Sequence, residues 1–578
     1  MSFQDALYTL EVGKGRRWVQ LAAILVGFVF LALLYFVMLF RGLDRPTAMD
    51  HAQLARQLAT GNGFNTMVIR PSALKVYSDF YSTPAMMAHT PQPKIDVFAL
   101  PDITNAPVYP AVLSVVFRTF KVDFEPTATE LGKAQIYAPE RLIVFFNQFC
   151  IFLTAVVLYF WAWRMFDDRV AFVSTLAFVG CDLIWQFALS GLSTSWILLL
   201  MTMLGFVLHE SLIAEEEDRQ PAVWGWAAGS AVLLVVIILS KLSLAWLIFP
   251  YAALLLIALR RMVFPPLVAL LIVLLGITPW FVRNYQVCGN PFGTGIAKVA
   301  EFGTVKEAIG DRTFLQNNNW PVKRALHKTY EGFGHALGNF FSLMGSSAVI
   351  LLALAAFMHR FKRHRVQLMR WFLLGSGLAV VLGASLLRAE PGAVDEENNL
   401  ILIFPGLAAV GTAFFYVLLD RLDIGLQIVR YIVVTFFLVV CTVPLVIALL
   451  PPGPGQYRYP PYFPPMIRYI SQLLGPKELM VSDIPAATAW YGGRVSLWMP
   501  TTLKEFYQIN DTIQWASGML ITPESWDNSL YKIDKGNSQD WAPILRRQGL
   551  PSGFPLTSYT PMPPLDNEYL FFSDRRRW

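Results

Sequence analysis

The sequence predicts an all-α polytopic membrane protein with about eleven transmembrane helices, a large first outer loop and a small C-terminal α/β outer domain. Two features of the sequence predict this class. Of 578 residues, 55% are hydrophobic and only 15% are charged, whereas a soluble domain carries roughly 25% charged residues. Long apolar runs also recur through most of the chain, and polar linkers would divide a soluble protein of this length into domains.

A helix that crosses a bilayer needs about 20 mostly apolar residues, because a rise of about 1.5 Å per residue has to cover about 30 Å of hydrocarbon. The first such run follows a basic stretch and is too long for a signal peptide, so we expect it to remain as an anchor. The predicted spans are 18–40, 142–163, 170–189, 193–212, 222–240, 243–259, 263–281, 338–358, 368–387, 400–419 and 428–450.

Lys and Arg in short loops indicate the cytoplasmic side, because these residues resist translocation. With the N-terminus inside, every even-numbered connection carries such residues: Arg164 and Arg169, Arg219, Arg260 and Arg261, the cluster from His359 to Arg365, and Arg421 with Arg430. Three long segments then face the outside, at 41–141, 282–337 and 451–578. The predicted location is the cytoplasmic (inner) membrane, with the C-terminal domain extracytoplasmic.

The chain is predicted to divide after residue 450. Residues 1–450 form the transmembrane domain, and its outer loop 41–141 contains amphipathic helices. Residues 451–578 open with a proline-rich stretch, which cannot continue a helix. An amphipathic helix at 464–474 and a short strand at 479–481 follow, so this tail is predicted to be a small α/β domain.

Charge, cysteine content and motifs exclude several classes of protein. The formal net charge of +6 is too small, in so apolar a chain, to indicate nucleic-acid binding. The four cysteines lie far apart, and three of them lie in apolar runs, so we predict no disulfide framework and no zinc ribbon. The sequence contains no HExxH, Walker or GxSxG motif, which argues against a metalloprotease, an ATPase and a serine hydrolase.

The segment from Thr47 to Gly63 predicts a short helix at the outer membrane surface, with Asp50 near its start. Two interpretations of Asp50 remain open. Thr47 at the N-cap, with an acid three residues later, forms the pattern of a capping box. Alternatively, Asp50 is a general base at the mouth of a membrane cavity, where partial burial raises the pKa of a carboxylate toward the range that suits proton abstraction.

Polar residues near the outer ends of three spans have two interpretations each. Lys241, after the fifth span, either reaches the headgroups along its aliphatic stem or supplies a point charge to a lipid-linked phosphate. Arg283, which ends the seventh span, is either a headgroup anchor or a clamp for phosphate oxygens. Asp182, in the third span, is expected to form a buried polar link between helices rather than a functional site.

A series of short motifs is more specific when it is read in order. The first is an acid after the first span that leads to a Gly-x-Gly-Phe helix end. The motifs lie at Asp50 to Phe64, Pro107 to Phe120, Leu239 to Lys241, Pro279 to Tyr285, Leu402 to Pro405 and Asp483 to Pro500. In this order the chain resembles the GT-C superfamily of polytopic glycosyltransferases, especially the bacterial relatives of protein O-mannosyltransferases and lipid A aminoarabinose transferase.

This resemblance implies an inverting glycosyltransferase. Such an enzyme moves a hexose or pentose from a polyprenyl-phosphate donor to a hydroxyl of a glycan, lipid or protein acceptor at the outer face of the membrane. By the resemblance, Asp50 deprotonates the acceptor, and Lys241 and Arg283 hold the departing lipid phosphate. The other residues assigned to substrate binding are His51, Asp102 and Arg388.

The chain departs from the pattern of these relatives at two positions that bear on cofactors and donor binding. The resemblance implies no redox cofactor and allows for a divalent metal ion. Many relatives carry Asp-Glu after the first span, whereas this chain carries Asp50-His51, so no metal ligand is assigned. Relatives often place a basic residue before the late Pro-containing helix, where this chain has the acidic run Asp395-Glu396-Glu397.

Two functions from other classes remain as alternatives. A flippase or transporter of lipid-linked glycans is expected to show inverted repeats or several broken helices with charges at the midplane, and the sequence shows neither. A non-catalytic scaffold subunit would use the tail, rich in Tyr, Trp and Pro, to bind partners. Convergence of Asp50, Lys241 and Arg283 on one outward-facing cavity would favour the transferase.

Overall fold

The computed structural model describes residues 14–83, 95–125, 136–259, 262–300, 309–314, 322–388, 390–422, 424–453, 458, 461–526, 541–545, 549–562 and 569–578. The first part contains α1 (Lys14–Leu39), α2 (Pro46–Ala59), β1 (Val68–Ile69), α3 (Pro71–Tyr81) and α4 (Val108–Thr119). The next part contains α5 (Ala138–Met165), α6 (Asp168–Val179), α7 (Asp182–Ser190), α8 (Thr194–Glu216), α9 (Gln220–Ser240), α10 (Ile248–Ala258) and α11 (Phe264–Cys288).

The helices α12 to α19 complete the part of the chain before the tail. They are α12 (Gly295–Ala300), α13 (Ile309–Arg312), α14 (Val322–Gly338), α15 (Phe340–Leu343), α16 (Ala348–Ala356), α17 (His364–Leu387), α18 (Phe404–Arg421) and α19 (Gln427–Leu449). The tail contains α20 (Pro464–Gln472), β2 (Leu479–Ser482), α21 (Pro485–Gly492), β3 (Ser496–Trp498), α22 (Leu503–Thr512), β4 (Ala516–Ile521), α23 (Pro523–Trp526), α24 (Ala542–Leu545), β5 (Ser558–Met562) and β6 (Tyr569–Ser573).

Eight helices in the described ranges are long and apolar enough to cross a membrane: α1, α5, α8, α9, α11, α17, α18 with the turn before it, and α19. A ninth span results if α6 and α7, which meet at an angle of 55°, are counted as one. The chain is therefore a multi-pass membrane protein with a mostly helical fold and a small sheet in its tail. This result confirms the predicted fold class.

Three of the eleven predicted spans are not single long helices. The run 170–189 is the bent pair α6 and α7. The run 243–259 begins as a 3₁₀ helix, Leu242–Leu247, and continues as α10. The run 338–358 is divided into α15 and α16, and Gly345 and Ser346 lie between them with φ angles of +77° and +53°. Positive φ angles interrupt a right-handed helix. The predicted number of eleven spans is therefore not confirmed.

The break between α6 and α7 places Asp182 at the start of α7, where its carboxylate is buried. Tyr35 of α1 donates a hydrogen bond from Oη to Asp182 Oδ1 at 2.7 Å, and Gln186 donates to Oδ2. A polar group that is removed from water needs such partners. The buried polar link that the sequence predicts at Asp182 is thus present, and it joins α1 to α7.

Six strands form one sheet in the order β1-β3-β2-β4-β6-β5. The strands β1, β3, β2 and β4 are parallel, and β6 runs antiparallel to both β4 and β5. β1 belongs to the first outer loop, and Ile69 of β1 lies in register with Leu497 of β3. The register therefore places Arg70, which follows β1, beside Trp498 at the carboxyl edge of the parallel strands.

The helix α21, which follows β2, joins the tail to the first outer loop. Arg56 of α2 donates hydrogen bonds to the carbonyl oxygens of Ala489 and Trp490 at 2.6 and 2.9 Å. Trp490 in turn donates from Nε1 to Glu140 Oε1 of α5 at 2.9 Å. Ala48, Met49 and Ala52 of α2 belong to the hydrophobic core of the bundle. These contacts fix the position of α2, the helix that carries Asp50.

Candidate active site

Asp50 is 1% exposed and lies on α2. The capping-box interpretation is wrong: the helix begins at Pro46, one residue before Thr47, and no side chain caps it. Proline favours the first helical position because its φ angle is already helical. The carboxylate of Asp50 instead accepts hydrogen bonds from Gln53 Nε2 at 2.9 Å and from Asn105 Nδ2 at 3.0 Å.

A buried ion pair provides the strongest partner of Asp50. Arg70 Nη2 lies 2.6 Å from Asp50 Oδ2, and Arg70 Nε lies 3.5 Å from Asp311 Oδ2. Burial disfavours the charged form of Asp50, but the charge of Arg70 and its hydrogen bond outweigh burial and hold the pKa of Asp50 below its usual range. The expectation that burial raises this pKa is therefore wrong, because it took no account of Arg70.

Asp102 lies beside Asp50 and shares Asn105 with it. Asp102 Oδ1 accepts hydrogen bonds from the backbone N–H groups of Thr104 at 2.9 Å and Asn105 at 2.7 Å, and Oδ2 accepts one from Asn105 Nδ2 at 3.2 Å. Burial and the negative charge of Asp50 raise the pKa of Asp102. The pKa values of two neighbouring carboxylates are thus shifted in opposite directions, as is common at active sites.

Arg283, at the outer end of α11, contacts the same part of the first outer loop. It donates from Nη1 to the carbonyl oxygen of Asp102 and, at 2.9 Å, to Asn284 Oδ1. The guanidinium carbon lies 4.9 Å from the ring centre of Trp280 and 5.8 Å from that of Phe64. Arg283 therefore contacts Asp102, which shares Asn105 with Asp50. The role of Arg283 toward phosphate stays a prediction.

The segment after α11 packs closely against this loop. Gly293 has a φ angle of +56°, and a Cβ atom at this position would lie 1.9 Å from the carbonyl oxygen of Ile103. Only glycine permits this approach. The next residue, Thr294, donates from Oγ1 to Thr104 Oγ1 at 3.0 Å. The second outer segment, which also carries Asp311, is therefore held against the loop that carries Asp102.

His51 is buried, and its ring meets that of Tyr109 edge to face at 5.5 Å. Burial lowers the pKa of His51, although the negative charges of Glu396 and Asp50 oppose this shift. Within the described part of the chain, His51 Nδ1 has no hydrogen-bond partner. His51 is therefore a buried imidazole whose pKa responds to the carboxylates of both Glu396 and Asp50.

Lys241 is 7% exposed, so its ammonium group does not reach the headgroups. Its Nζ lies 2.9 Å from Asn399 Oδ1 and 3.3 Å from Glu397 Oε2, and it also donates to the carbonyl oxygen of Glu396. Arg388, the residue after α17, pairs with Asp395. The interpretation that Lys241 only snorkels is therefore wrong.

Glu396 connects the environment of Lys241 with α2. Thr47 on α2 lies close enough to Glu396 to help hold the pKa of its carboxyl below the usual range. Burial opposes ionisation of Glu396, but the charge of Lys241, with smaller contributions from His51 and Lys298, holds its pKa below the usual range. We call this connected set the outer charge network; its members are Asp50, His51, Arg70, Asp102, Lys241, Arg283, Asp311, Arg388, Asp395, Glu396 and Glu397.

Sequence analysis did not identify all members of the outer charge network. It missed Arg70 and Asp311, because nothing in their local sequence marks them and only the register of β1 and the packing of α13 bring them to Asp50. It noted the acidic run 395–397 only as a departure from relatives.

The side chains around Asp50 do not fit a divalent metal ion. Both carboxylate oxygens of Asp50 accept hydrogen bonds from N–H donors, and the guanidinium of Arg70 already supplies a positive charge at hydrogen-bonding distance. Among the described residues, no group of three or more His, Cys, Asp or Glu side chains could hold a metal. We assign no metal ligand to this chain.

The chain has the fold of ArnT from Cupriavidus metallidurans, which has been solved bound to undecaprenyl phosphate and in the apo state. With the bound form, the identity is 13%, the TM-score is 0.53, and the match covers 95% of this chain and 98% of ArnT. With the apo form, the identity is 13%, the TM-score is 0.53, and the coverage is 96% and 98%. This likeness confirms that the fold is of the GT-C type.

Another solved structure resembles this chain less closely. It is the archaeal oligosaccharyltransferase AglB from Archaeoglobus fulgidus in complex with an inhibitory peptide and a dolichol-phosphate. Its identity to this chain is 11%, its TM-score is 0.49, and the match covers 87% of this chain and 70% of AglB. No protein-family model matches the sequence, and no curated protein matches it.

Replacing Arg70 by glutamine should leave the carboxylate of Asp50 buried without its cation. Breaking a buried pair in this way costs about 3–5 kcal/mol, so we expect a lower thermal unfolding midpoint at neutral pH. The pKa of Asp50 should rise, and the deficit should shrink toward about pH 5 as the carboxyl becomes neutral. In the wild type, Asp50 should contribute no change over this range, because a carboxylate with a lowered pKa loses its stabilisation only below about pH 3.9.

The matched control is Arg45→Gln. Arg45 pairs with Asp44 at 3.5 Å, and the two side chains are 41% and 29% exposed, far more than those of Asp50 and Arg70, so this loss should be below about 1 kcal/mol. Adding Asp50→Asn to Arg70→Gln should restore much of the lost stability, because the two residues are coupled. Equal destabilisation by the two arginine variants would contradict the assignment of Arg70 as the main partner of Asp50.

Proposed function

We propose that this chain is an inverting membrane glycosyltransferase that moves a sugar from a polyprenyl phosphate to an acceptor hydroxyl. The observation that carries the proposal is the outer charge network itself. Within it, Lys241 donates a hydrogen bond to the carbonyl oxygen of Glu396, and the negative charges of Glu396 and Asp50 both act on the pKa of His51, the neighbour of Asp50 on α2. Its setting in a fold shared with ArnT, which binds undecaprenyl phosphate, supports the same function.

Asp50 is suited to accept the proton of the acceptor. The ion pair with Arg70 keeps its carboxylate ionised at neutral pH, and a general base has to be deprotonated before it acts. The acceptor oxygen attacks the anomeric carbon from the side opposite the phosphate. The bond between that carbon and the phosphate oxygen breaks as the new bond forms, and the acceptor proton passes to Asp50. Attack from the opposite face inverts the anomeric configuration.

The leaving group is the lipid phosphate, which carries the negative charge away from the reacting carbon. Cations in a site that excludes water stabilise such developing charge more strongly than they would in water. Lys241 is buried, and Arg283 is half-buried beside Asp102. We therefore assign Lys241 and Arg283 to the lipid phosphate, with Arg388 as a further cation beside it. Asp102 and His51 complete the proposed substrate site.

The proposed site lies on the outer face of the cytoplasmic membrane, with the N-terminus and the His359–Arg365 cluster inside. The Lys and Arg residues of the short loops support this orientation. Arg260 and Arg261 are among these residues and lie outside the described residues. The tail 451–578 would then form the outer domain above the spans, and β1 of the first outer loop would extend its sheet.

Cysteine labelling tests the orientation. All four native cysteines are buried, so background labelling of the protein by the maleimide should be low. Tyr559 is 57% exposed in the tail, and Met358 is 94% exposed next to the basic cluster. Tyr559→Cys should react with an impermeant maleimide on intact spheroplasts, whereas Met358→Cys should react only after permeabilisation. The reverse pattern would contradict the orientation and move the outer charge network to the cytoplasmic face.

Asp50→Asn tests the catalytic role of Asp50. The amide resembles the carboxylate in shape but cannot take the acceptor proton, so transfer should fall by roughly 10²–10⁴-fold. Mass spectrometry of lipid-linked sugars and surface glycans would compare cells that carry the wild type, the variant or no gene. We expect cells with the variant to accumulate the same prenyl-phosphate sugar as cells without the gene. Transfer is compared per amount of folded protein, because Asp50→Asn also removes the charged partner of Arg70.

The control for this experiment is Asp182→Asn, which alters a buried aspartate at the link between α1 and α7. It should leave the surface glycans unchanged. Unchanged glycans in cells with Asp50→Asn would remove Asp50 from catalysis and favour a scaffold. A lipid-linked glycan that accumulates on the inner leaflet only would instead favour a flippase.

A further inference from the structure

One acidic segment pairs with two of the cations assigned to donor binding. Glu397 Oε2 lies 3.3 Å from Lys241 Nζ, and the carbonyl oxygen of Glu396 accepts a hydrogen bond from the same ammonium group. Asp395 pairs with Arg388. The side chains of Lys241 and Glu397 are 7% and 13% exposed, so the first of these pairs is largely shielded from water.

The positive and negative charges of this region already balance each other. Lys241, Arg388 and Lys298 supply three positive charges near the run from Asp395 to Glu397, which has three acidic side chains. An added phosphate would bring an excess of negative charge into a site where screening is weak. A phosphate can therefore contact Lys241 only if the carboxylate of Glu397 moves away or becomes neutral.

The acidic segment lies in a part of the chain that can rearrange without breaking a helix or strand. Residues 390–399 have neither, and they connect α17 to the 3₁₀ helix Leu400–Ile403. Asn398 holds the segment through hydrogen bonds from Nδ2 to the carbonyl oxygens of Leu343 and Ala393, at 2.9 and 2.7 Å. Few other bonds would have to change if only the side chains of 395–397 turned away.

A small cavity borders the same carboxylate. It lies between α14 and α17 and has a volume of about 10 Å³, about the room that one water molecule needs. Its lining includes Glu397, Asn398 and Asn399 together with small side chains such as Ala336 and Ala384. Asn398 Oδ1 is buried and has no hydrogen-bond partner within the described ranges. The cavity therefore gives the side chain of Glu397 room for a small shift, and a larger withdrawal requires the segment 390–399 itself to move.

We propose that Glu397 and Asp395 occupy, on Lys241 and Arg388, the positions that the phosphate of a lipid-phosphate donor takes, and that the donor binds by replacing them. This inference rests on the proposed function, because it identifies the donor site with these two cations. The two carboxylates are internal substitutes for the phosphate: they neutralise buried cations between turnovers and compete with the donor for them. They also select for a ligand whose anion binds strongly enough to exchange with a carboxylate.

The test measures the affinity of the purified full chain for undecaprenyl phosphate in nanodiscs, with undecaprenol and phosphatidylglycerol as comparison lipids. Glu397→Gln should bind undecaprenyl phosphate more tightly by a factor on the order of ten, the size expected for one charge-assisted contact. The gain should be absent when Lys241→Ala is added. Affinity for undecaprenol and phosphatidylglycerol should stay unchanged.

The matched control is Glu216→Gln, which breaks a Glu–Arg365 pair of 3.3 Å at the opposite end of the bundle and should have no effect.

Asp395→Asn provides a second variant if Glu397→Gln folds poorly. In this variant, Oδ1 of residue 395 can still accept the hydrogen bond from the N–H of Glu397, which is 2.8 Å long in the wild type. Arg388 loses its negatively charged partner. Wild-type binding together with unchanged affinity in both variants would overturn the exchange and leave the proposed function standing. Failure of every form, wild type included, to bind undecaprenyl phosphate in preference to undecaprenol would overturn the donor assignment and the exchange together.

Discussion

The ion pair between Asp50 and Arg70 is the interaction on which the rest of the proposed site depends. An unpaired charge buried in a protein costs several kcal/mol, so a buried acid needs a buried cation. Here the cation comes from the end of β1, and β1 is held at its place by pairing with β3 of the tail. The base of the proposed reaction is thus positioned by a sheet whose other strands lie more than 400 residues away in the chain.

The same constraint explains the arrangement around Lys241. Its buried ammonium group takes partners from the run 396–399, which is more than 150 residues distant in sequence. Glu396 then approaches Thr47 and His51 on α2. Mutual neutralisation of charges therefore connects the helix that carries the base with the lysine assigned to the phosphate. A site built in this way is stable without substrate, and substrate binding has to exchange some of its pairs.

Sequence patterns predicted the parts of this structure that depend on local information. The long apolar runs predicted the spanning helices, and the polar residue within one of them, Asp182, was recognised as a link. The two outer acids Asp50 and Asp102 were both assigned to the site, and the structure brings them to one shared asparagine, Asn105. The predictions of the spanning helices and of the link at Asp182 succeed because hydropathy and residue type act over a single turn or span, whereas the roles of Asp50 and Asp102 in the site stay predictions.

Other features depend on contacts between distant segments and could not be predicted in this way. Pro46 starts α2 two residues earlier than the capping pattern suggests, so Asp50 takes no part in capping it. Arg70 reverses the expected direction of the pKa shift of Asp50, and only the register of β1 with β3 reveals it. The run 395–397 was noted as an anomaly because no local rule links it to Lys241.

A structure of the full chain bound to undecaprenyl phosphate, determined by electron cryo-microscopy in nanodiscs, tests the central claim most directly. The account predicts the phosphate within about 4 Å of Lys241 Nζ, an ion-pair distance, with the carboxylate of Glu397 withdrawn and the pair between Asp50 and Arg70 intact. A phosphate bound elsewhere, with Lys241 and Glu397 still paired, would contradict it.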